Sequence, residues 1–362
     1  MRTNPENAPV AHPAWRDKPA VSPISESADH PRDTGANGFN GLRVWKPAIQ
    51  QTWKSAVLCG GLWKSGAVAP ALILLLGLGV PAAFGCDIPV FRYALDHWPA
   101  DPFRLEAPPA VLAAEPLATD LRNLSSGSGL NLEAAVGTNG TRLFFPFHVK
   151  GSEKPEWEGK LSPAIYHHLT DSPARQSVIK HILNGDSAVW VLVEAGPAAV
   201  NEADAHLLTD RLKFLEAATG LPRLAPNDPD SQLGPGPQLK VQLSLLRVKR
   251  SDTNEVELIS QLAGPAGLSA FPADQPFVAV VFGRGRVLGA WPQERLNDDF
   301  IEEVTHFLLG SCSCEVKAQN PGWDLLLSVD WDDALQKAGA ASAPAGSLKA
   351  QTLVIQPREE FP

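Results

Sequence analysis

Sulfur is scarce in this 362-residue chain, with four cysteines and one methionine. Cys59, Cys86, Cys312 and Cys314 never stand at the spacings that close a zinc knuckle, which excludes the common structural zinc modules. The three neighbouring histidines, His167, His168 and His181, also lack a zinc spacing, and adjacent imidazoles leave a helix in different directions. Asp330, Asp332 and Asp333 miss the loop glycine and trailing glutamate of a calcium loop and read as a strand end followed by a helix cap. "FGRGRVLG" joins two strands rather than a strand to a helix, so it is not a dinucleotide loop. No cofactor is expected from these patterns, and the metal stays unknown.

Apolar periodicity is missing before Lys64, where Pro, Asn, Ser and Asp dominate. Such a stretch buries too little apolar surface to offset chain entropy, so residues 1–64 are expected to be a disordered extension. Charge is then missing from Ser65 to Cys86. Arg43, Lys46, Lys54 and Lys64 precede the apolar run "APALILLLGLGVPAAFG", and Ala83 and Gly85 occupy the small-residue positions of a cleavage site. Residues 65–85 are therefore expected to be a signal peptide or a membrane anchor, and either one exports the chain from Cys86 onward. The run begins far from Met1, the only methionine. A true start at a later Val or Leu codon accounts for that distance, and a long cytoplasmic tail on an anchor is the alternative.

A basic surplus is absent from the exported part. Of 31 Lys+Arg and 40 Asp+Glu, 8 and 5 precede residue 86, which leaves a net charge of −12 after it. That balance excludes a nucleic-acid partner and leaves membrane contact to the anchor or a lipid. The partner expected is another protein of the bacterial cell envelope, and the location extracytoplasmic.

The exported part divides into two regions. Residues 86–187 are expected as an α+β region: a helix in "CDIPVFRYALDHW", a strand in "DPFRLEAP", a helix near Ala113 to Leu124, a turn at Asn139-Gly140, and an edge strand carrying a proline in "RLFFPFHV". Ser172 and Pro173 cap a helix that Asn184-Gly185 ends. From residue 188 the order is strand, helix, strand, helix, strand, tight turn, strand, helix. "AVWVLVEAG" and "FVAVVF" are apolar throughout, as central strands are; Asn297 caps the final helix and Gly310 stops it. This order predicts parallel pairs with helical crossovers closed by one antiparallel hairpin: a mixed α/β sheet with helices on both faces. Residues 311–337 hold the Cys-x-Cys loop and an extra edge strand in "WDLLLSVDW", and 338–362 are expected to be a disordered tail. Trp98, Trp157, Trp190, Trp291, Trp323 and Trp331 read as packing residues.

The stretch "QPFVAVVFGRGRVLGAW" resembles the thioredoxin-like fold: a proline before a buried strand, a glycine-containing turn, and a second strand. The resemblance covers 188–310 and implies that Pro276 is the cis proline beside the family's redox centre. Where redox-active members carry Trp-Cys-x-x-Cys, this chain has "EAGPAAVNEAD", so exchange at that position is excluded. "CDIPVFRYAL" together with "CSCEVKAQNPG" is also similar to a family of exported bacterial proteins, a resemblance that implies no activity.

With Cys59 removed alongside a signal peptide, Cys86, Cys312 and Cys314 remain. Cys86 is either lipidated or bridged to one of the pair, closing a loop of more than two hundred residues that stabilises by roughly 4–5 kcal/mol. Alternatively Cys312 and Cys314 form a redox pair. Two extended residues span about 7 Å and a disulfide needs about 4.4–6.8 Å, so the ring requires a bend and is strained and exchangeable. Lys317 nearby would favour a thiolate; a soft metal ion would need a third ligand, and His306, close in sequence, reads instead as a helix residue facing its own surroundings. These readings leave two functions: a non-catalytic, exported thioredoxin-like binding or scaffold protein, or a thiol-disulfide oxidoreductase or thiol-dependent metal carrier acting through Cys312 and Cys314.

Overall fold

The computed structural model describes residues 87–124, 129–224, 231–312 and 315–342. The extension at 1–64, the apolar run at 65–85, Cys86 and Cys314 lie outside the described residues. No described helix is long and apolar enough to cross a membrane.

The chain forms a mixed α/β structure with two mixed sheets. It begins with α1 (Val90–His97). The first sheet comes next, with β1 (Phe103–Ala107), β2 (Leu132–Val136), β3 (Thr141–Phe144) and β4 (Trp157–Gly159) in the order β2-β1-β3-β4. β1 pairs parallel with β2 and antiparallel with β3. It alternates strictly: Phe103, Leu105 and Ala107 are buried, while Arg104 and Glu106 turn outward, the period of a strand with one covered face. Short helix α2 (Pro109–Leu112) and α3 (Leu117–Leu124) lie between β1 and β2. α4 (Pro163–Thr170) sends Tyr166 and Leu169 into the core with Phe103, Leu105 and Leu143, and the Tyr166 hydroxyl donates to Asp120 Oδ2 at 2.5 Å. The proline-bearing strand differs from expectation. β3 stops at Phe144, before Pro146, and lies between β1 and β4 rather than at an edge. Ending ahead of the residue that lacks an N–H leaves every position of β3 able to pair on both sides.

The second sheet is built from β5 (Ala188–Glu194), β6 (Leu243–Lys249), β7 (Phe277–Phe282), β8 (Arg286–Pro292) and the two-residue β9 (Trp323–Asp324), in the order β6-β5-β7-β8-β9. β5 pairs parallel with β6, β7 antiparallel with β5, and β8 antiparallel with β7. Its connections are α6 (Ala198–Ala218), α7 (Val256–Ala263) and the Gly283–Gly285 hairpin, and α8 (Asp298–Leu309) follows β8. The hairpin glycines have φ of 56° and 86°, a region that L side chains avoid.

β5 is apolar from Ala188 to Val193 because both faces are covered. Ala188, Trp190 and Leu192 pack with Leu208, Leu212 and Leu215 of α6, Ile301, Val304 and Leu308 of α8, and Val90 and Phe91 of α1. Val189, Val191 and Val193 pack with Val178, Ile179 and Ile182 of α5 (Pro173–Leu183), Leu258 and Leu262 of α7, and Leu335 of α9 (Trp331–Ser342). Helices α1 and α5 thus cover opposite faces of this sheet although both precede residue 188. The boundary expected between 187 and 188 does not separate two cores, since a sheet that is apolar on both sides needs helices from wherever the chain supplies them.

The "WDLLLSVDW" strand is also shorter than expected. Only Trp323 and Asp324 pair with β8. After them Leu325 N donates to Gly285 O, Leu326 N to Gln261 Oε1 and Leu327 N to Asn131 Oδ1, while Arg175 Nε donates to Leu326 O. The tail, expected to be disordered from 338, continues as α9 to Ser342; Asp330 Oδ1 caps it by accepting from Asp333 N.

Helix starts follow the caps read from sequence: Ser172 Oγ accepts from Arg175 N and Asn297 Oδ1 from Phe300 N. Glu255 adds a long-range cap, accepting from Ala174 N and from Ser172 Oγ. Near it, the carboxyl of Glu156 hydrogen-bonds Ser260 and faces Arg175 and Glu257, and burial pushes its pKa up to about 8. An unfolded glutamate gives up its proton near 4.5, so unfolding between these pH values releases a proton and stability falls as pH rises through the window. Thermal melts from pH 5 to 9 are expected to show that decline, and Glu156→Gln, which stays neutral, is expected to flatten it. Identical profiles for the two chains would contradict the assignment.

Candidate binding site

The crevice that stands out lies where β5 and β6 end and α6 begins, outside the carboxyl ends of a parallel strand pair, where open α/β sheets present ligand sites. It has a volume of about 590 Å³ and is lined by Glu194, Gly196, Asn201, Glu202, Arg247 and Lys249, among others. The residues "EAGPAAVNE" form its floor and one wall.

The floor is shaped by backbone constraint. Gly196 has φ of +66°, and a Cβ there would lie 1.9 Å from the carbonyl oxygen of Asp274. Only glycine lets the segment before β7 pass this close. Asn201 fastens the bend from above: its Oδ1 accepts from Ala195 N at 3.1 Å and its Nδ2 donates to Pro197 O at 3.3 Å.

Its walls carry ion pairs. Arg247 of β6 donates through Nε to Glu194 Oε1 and through both terminal nitrogens to Glu202, at 3.0 and 2.6 Å. Arg247 holds the Glu202 carboxyl below its ordinary range, chiefly through those hydrogen bonds. The pair is exposed, so it positions side chains more than it stabilises the fold. Arg250 is spent on carbonyls, donating to Pro272, Leu268 and Phe271 oxygens. Lys249 is exposed and has no side-chain partner among the described residues. The crevice lining holds no cysteine or histidine, so it offers neither a thiolate nor a hydroxyl paired with an imidazole base. The groups it does offer are charged side chains and backbone.

Pro276 is buried just before β7, and its carbonyl accepts from Gln293 N at 3.2 Å. The one cis peptide bond among the described residues is Glu115–Pro116, so Pro276 does not have the cis bond that the resemblance implies. Its neighbours Ala273 and Asp274, rather than the proline ring, meet the crevice and its glycine.

The cysteine loop lies elsewhere. Cys312 is 2% exposed, packed in the cluster with Val90, Phe91 and Trp98. Its N–H donates to Ile88 O at 2.9 Å, next to the Pro89–Ser311 bridge. Lys317 is not disposed to favour a thiolate, because its ammonium is held by Pro99 O at 2.5 Å, Asp324 Oδ2 at 2.5 Å and Asp101 Oδ2 at 2.6 Å. Asp324 also meets Arg286 at 3.4 Å. His306 is exposed on α8.

The remaining polar clusters resolve into local contacts. His167 Nδ1 is 2.6 Å from Asp171 O, whereas His181 Nδ1 is 2.7 Å from Asp186 on another helix end. Asp332 pairs with Arg284 and Asp333 with Lys337. Among the described residues no group of three or more His, Cys, Asp or Glu side chains is placed to hold a metal ion.

Sequence reasoning passed over Arg247, Lys249 and Arg250 because they join the bend only through the parallel pairing of β5 with β6. The available signal was the basic run "RVKR" in an acidic chain. No protein-family model and no curated protein matches the chain.

Gly196→Ala is expected to cost about 1–3 kcal/mol in chemical denaturation, through positive φ and the collision with Asp274. Gly220→Ala, whose added Cβ meets nothing within 4 Å, should stay within about 0.5 kcal/mol of the parent. Equal effects would show that the bend is not constrained as described.

Proposed function

We propose that the chain is an exported, thioredoxin-like binding module of the bacterial cell envelope that works without thiol–disulfide chemistry. The observation that carries this reading is the crevice at the β5–α6 bend. It occupies the strand-to-helix junction at which the resembled family places its sulfur pair, and it is furnished instead with Glu194, Asn201, Glu202, Arg247 and Lys249. Support for the fold assignment comes from the parallel β5–β6 pair joined through α6, the antiparallel β7 and β8, and the strand order β6-β5-β7-β8.

The burial of Cys312 fits a structural role. Cys312 is buried, and its backbone bonds to Ile88, two residues from Cys86. That proximity supports a covalent tie between Cys86 and the Cys312-Ser313-Cys314 run after export, holding α1 against the end of α8. The ligand expected is a protein segment with both charges, since the crevice presents an Arg flanked by carboxylates beside Lys249, which has no side-chain partner among the described residues; the acidic exported part does not suit nucleic acid.

Non-reducing peptide mapping of the full chain, secreted into an oxidising compartment, is expected to join the Cys86 peptide to the Cys312–Cys314 peptide. That bond should survive mild thiol, and the protein should leave added model dithiols reduced. A Cys312–Cys314 bond that mild thiol opens, and that oxidises the dithiol stoichiometrically, would replace this reading with the oxidoreductase one.

A further inference from the structure

The first sheet ends in an unguarded strand. β2 is its outermost member, paired with β1 on one side only. Asn131 O accepts from Phe103 N, and Gly137 N donates to Ala107 O. Strand alternation turns Glu133 and Ala135 toward β1 in the same way and points the peptide groups of Leu132, Ala134 and Val136 out of the sheet. Leu132 N donates to Leu130 O at 2.9 Å, while no described group pairs with the outward N–H of Ala134 or Val136.

Sheets blunt such edges by shortening the strand or by placing lysine, other charges or proline on it. β4 has three residues, β9 has two, and β6 carries Arg247 and Lys249. β2 has five residues with neither a proline nor a basic side chain, and Glu133, Ala134, Ala135 and Val136 are all exposed. Val136 is 68% exposed, although it shares a face with its register partner Ala107, which is fully buried. The apolar face of the first sheet thus runs out into solvent at this edge.

The strand is complementary to itself. Antiparallel pairing about a two-fold axis at Ala134 sets that small residue against its own copy, Leu132 beside the partner's Val136, and Glu133 beside the partner's Ala135. The residues that meet as hydrogen-bonded pairs are then Leu132, Ala134 and Val136, whose peptide groups already face outward. On the covered face the apolar row continues from Phe103 through Leu132 to the partner's Val136. On the other face Glu133 lies between Arg104, its register partner on β1, and the partner's Ala135, so no like charges stand opposite one another. One surface used by both copies closes the assembly at two.

From this register we infer that the chain forms a two-fold dimer in which β2 pairs antiparallel with the β2 of a second copy, joining the two first sheets into one. The inference stands whether or not the crevice binds an envelope protein.

Sedimentation equilibrium of the full chain is expected to show a concentration-dependent dimer. Ala135→Glu sets a carboxylate opposite the partner's Glu133, twice by symmetry, and should weaken the dimer about fivefold, whereas Ala135→Lys sets an ammonium there and should tighten it. Position 135 is exposed, so both variants are expected to melt as the parent monomer does. A hydrogen-bonded antiparallel pair has its Cα atoms about 5.5 Å apart, inside the range of about 4.4–6.8 Å that a disulfide accepts. Ala134→Cys should therefore link two copies through position 134 on oxidation, and Val136→Cys should not link through position 136. A parent that is monomeric at every concentration reached overturns the inference and leaves this edge to a strand of another protein. A dimer that responds alike to Ala135→Glu and Ala135→Lys, or that links through position 136 and not 134, overturns it as well.

Discussion

The structure depends on the buried crossing of Trp323 to Leu327 between the two sheets. A backbone segment in an apolar interior must find a partner for each peptide group, because an unsatisfied one costs as much as several packed methylenes. Here the partners come from both sides: Gly285 from the β7–β8 hairpin, Gln261 from α7, Asn131 just before β2, and the guanidinium of Arg175. The side chains divide in the same way. Leu325 and Leu327 join the core of the second sheet, while Leu326 points into the core of the first. Removing this crossing would open two hydrophobic cores at once and take from Asn131, Gln261 and Arg175 the hydrogen bonds they make to it.

Buried charge is organised around that crossing. Arg175 is fully buried; its Nε donates to Leu326 O and its Nη1 to His168 O and Ser172 Oγ, with Glu255 completing the junction of α5 and α7. At the other end of the crossing Asp324 gathers Arg286 and Lys317, and Lys317 reaches Asp101 and Pro99 in the segment that enters the first sheet. Desolvation pushes the Asp324 carboxyl above its ordinary range, while the two cations oppose that rise. Lone buried charges are costly and paired ones are fixed in place, so these networks determine which surfaces meet. They also commit Lys317 to the fold and take it away from cysteine chemistry.

The crevice obeys a different logic. Its ion pairs are exposed and contribute little to stability, yet they hold Arg247 across the mouth between two carboxylates. Its floor depends on the one residue type that tolerates both positive φ and the Asp274 carbonyl. A constrained floor and charged walls thus stand at the end of a sheet whose core spans both faces.

Local chemistry was legible in the sequence: the capped helices at Ser172 and Asn297, the doubly buried β5 and β7, the glycine hairpin between β7 and β8, and the absence of sulfur at the β5–α6 bend. Each follows from residues within one turn or one strand, where periodicity and backbone restriction act. The sequence by itself determined the mixed α/β class and the order of elements from residue 188 onward. Only the tertiary structure decided that α1 and α5 cover that sheet, that β3 is an interior strand, that "DLLL" crosses between cores instead of extending an edge, and that Arg247 and Lys249 stand beside Gly196. The reason is that pairing across long separations is selected by which apolar faces and buried polar groups can be satisfied together, and no single segment carries that information.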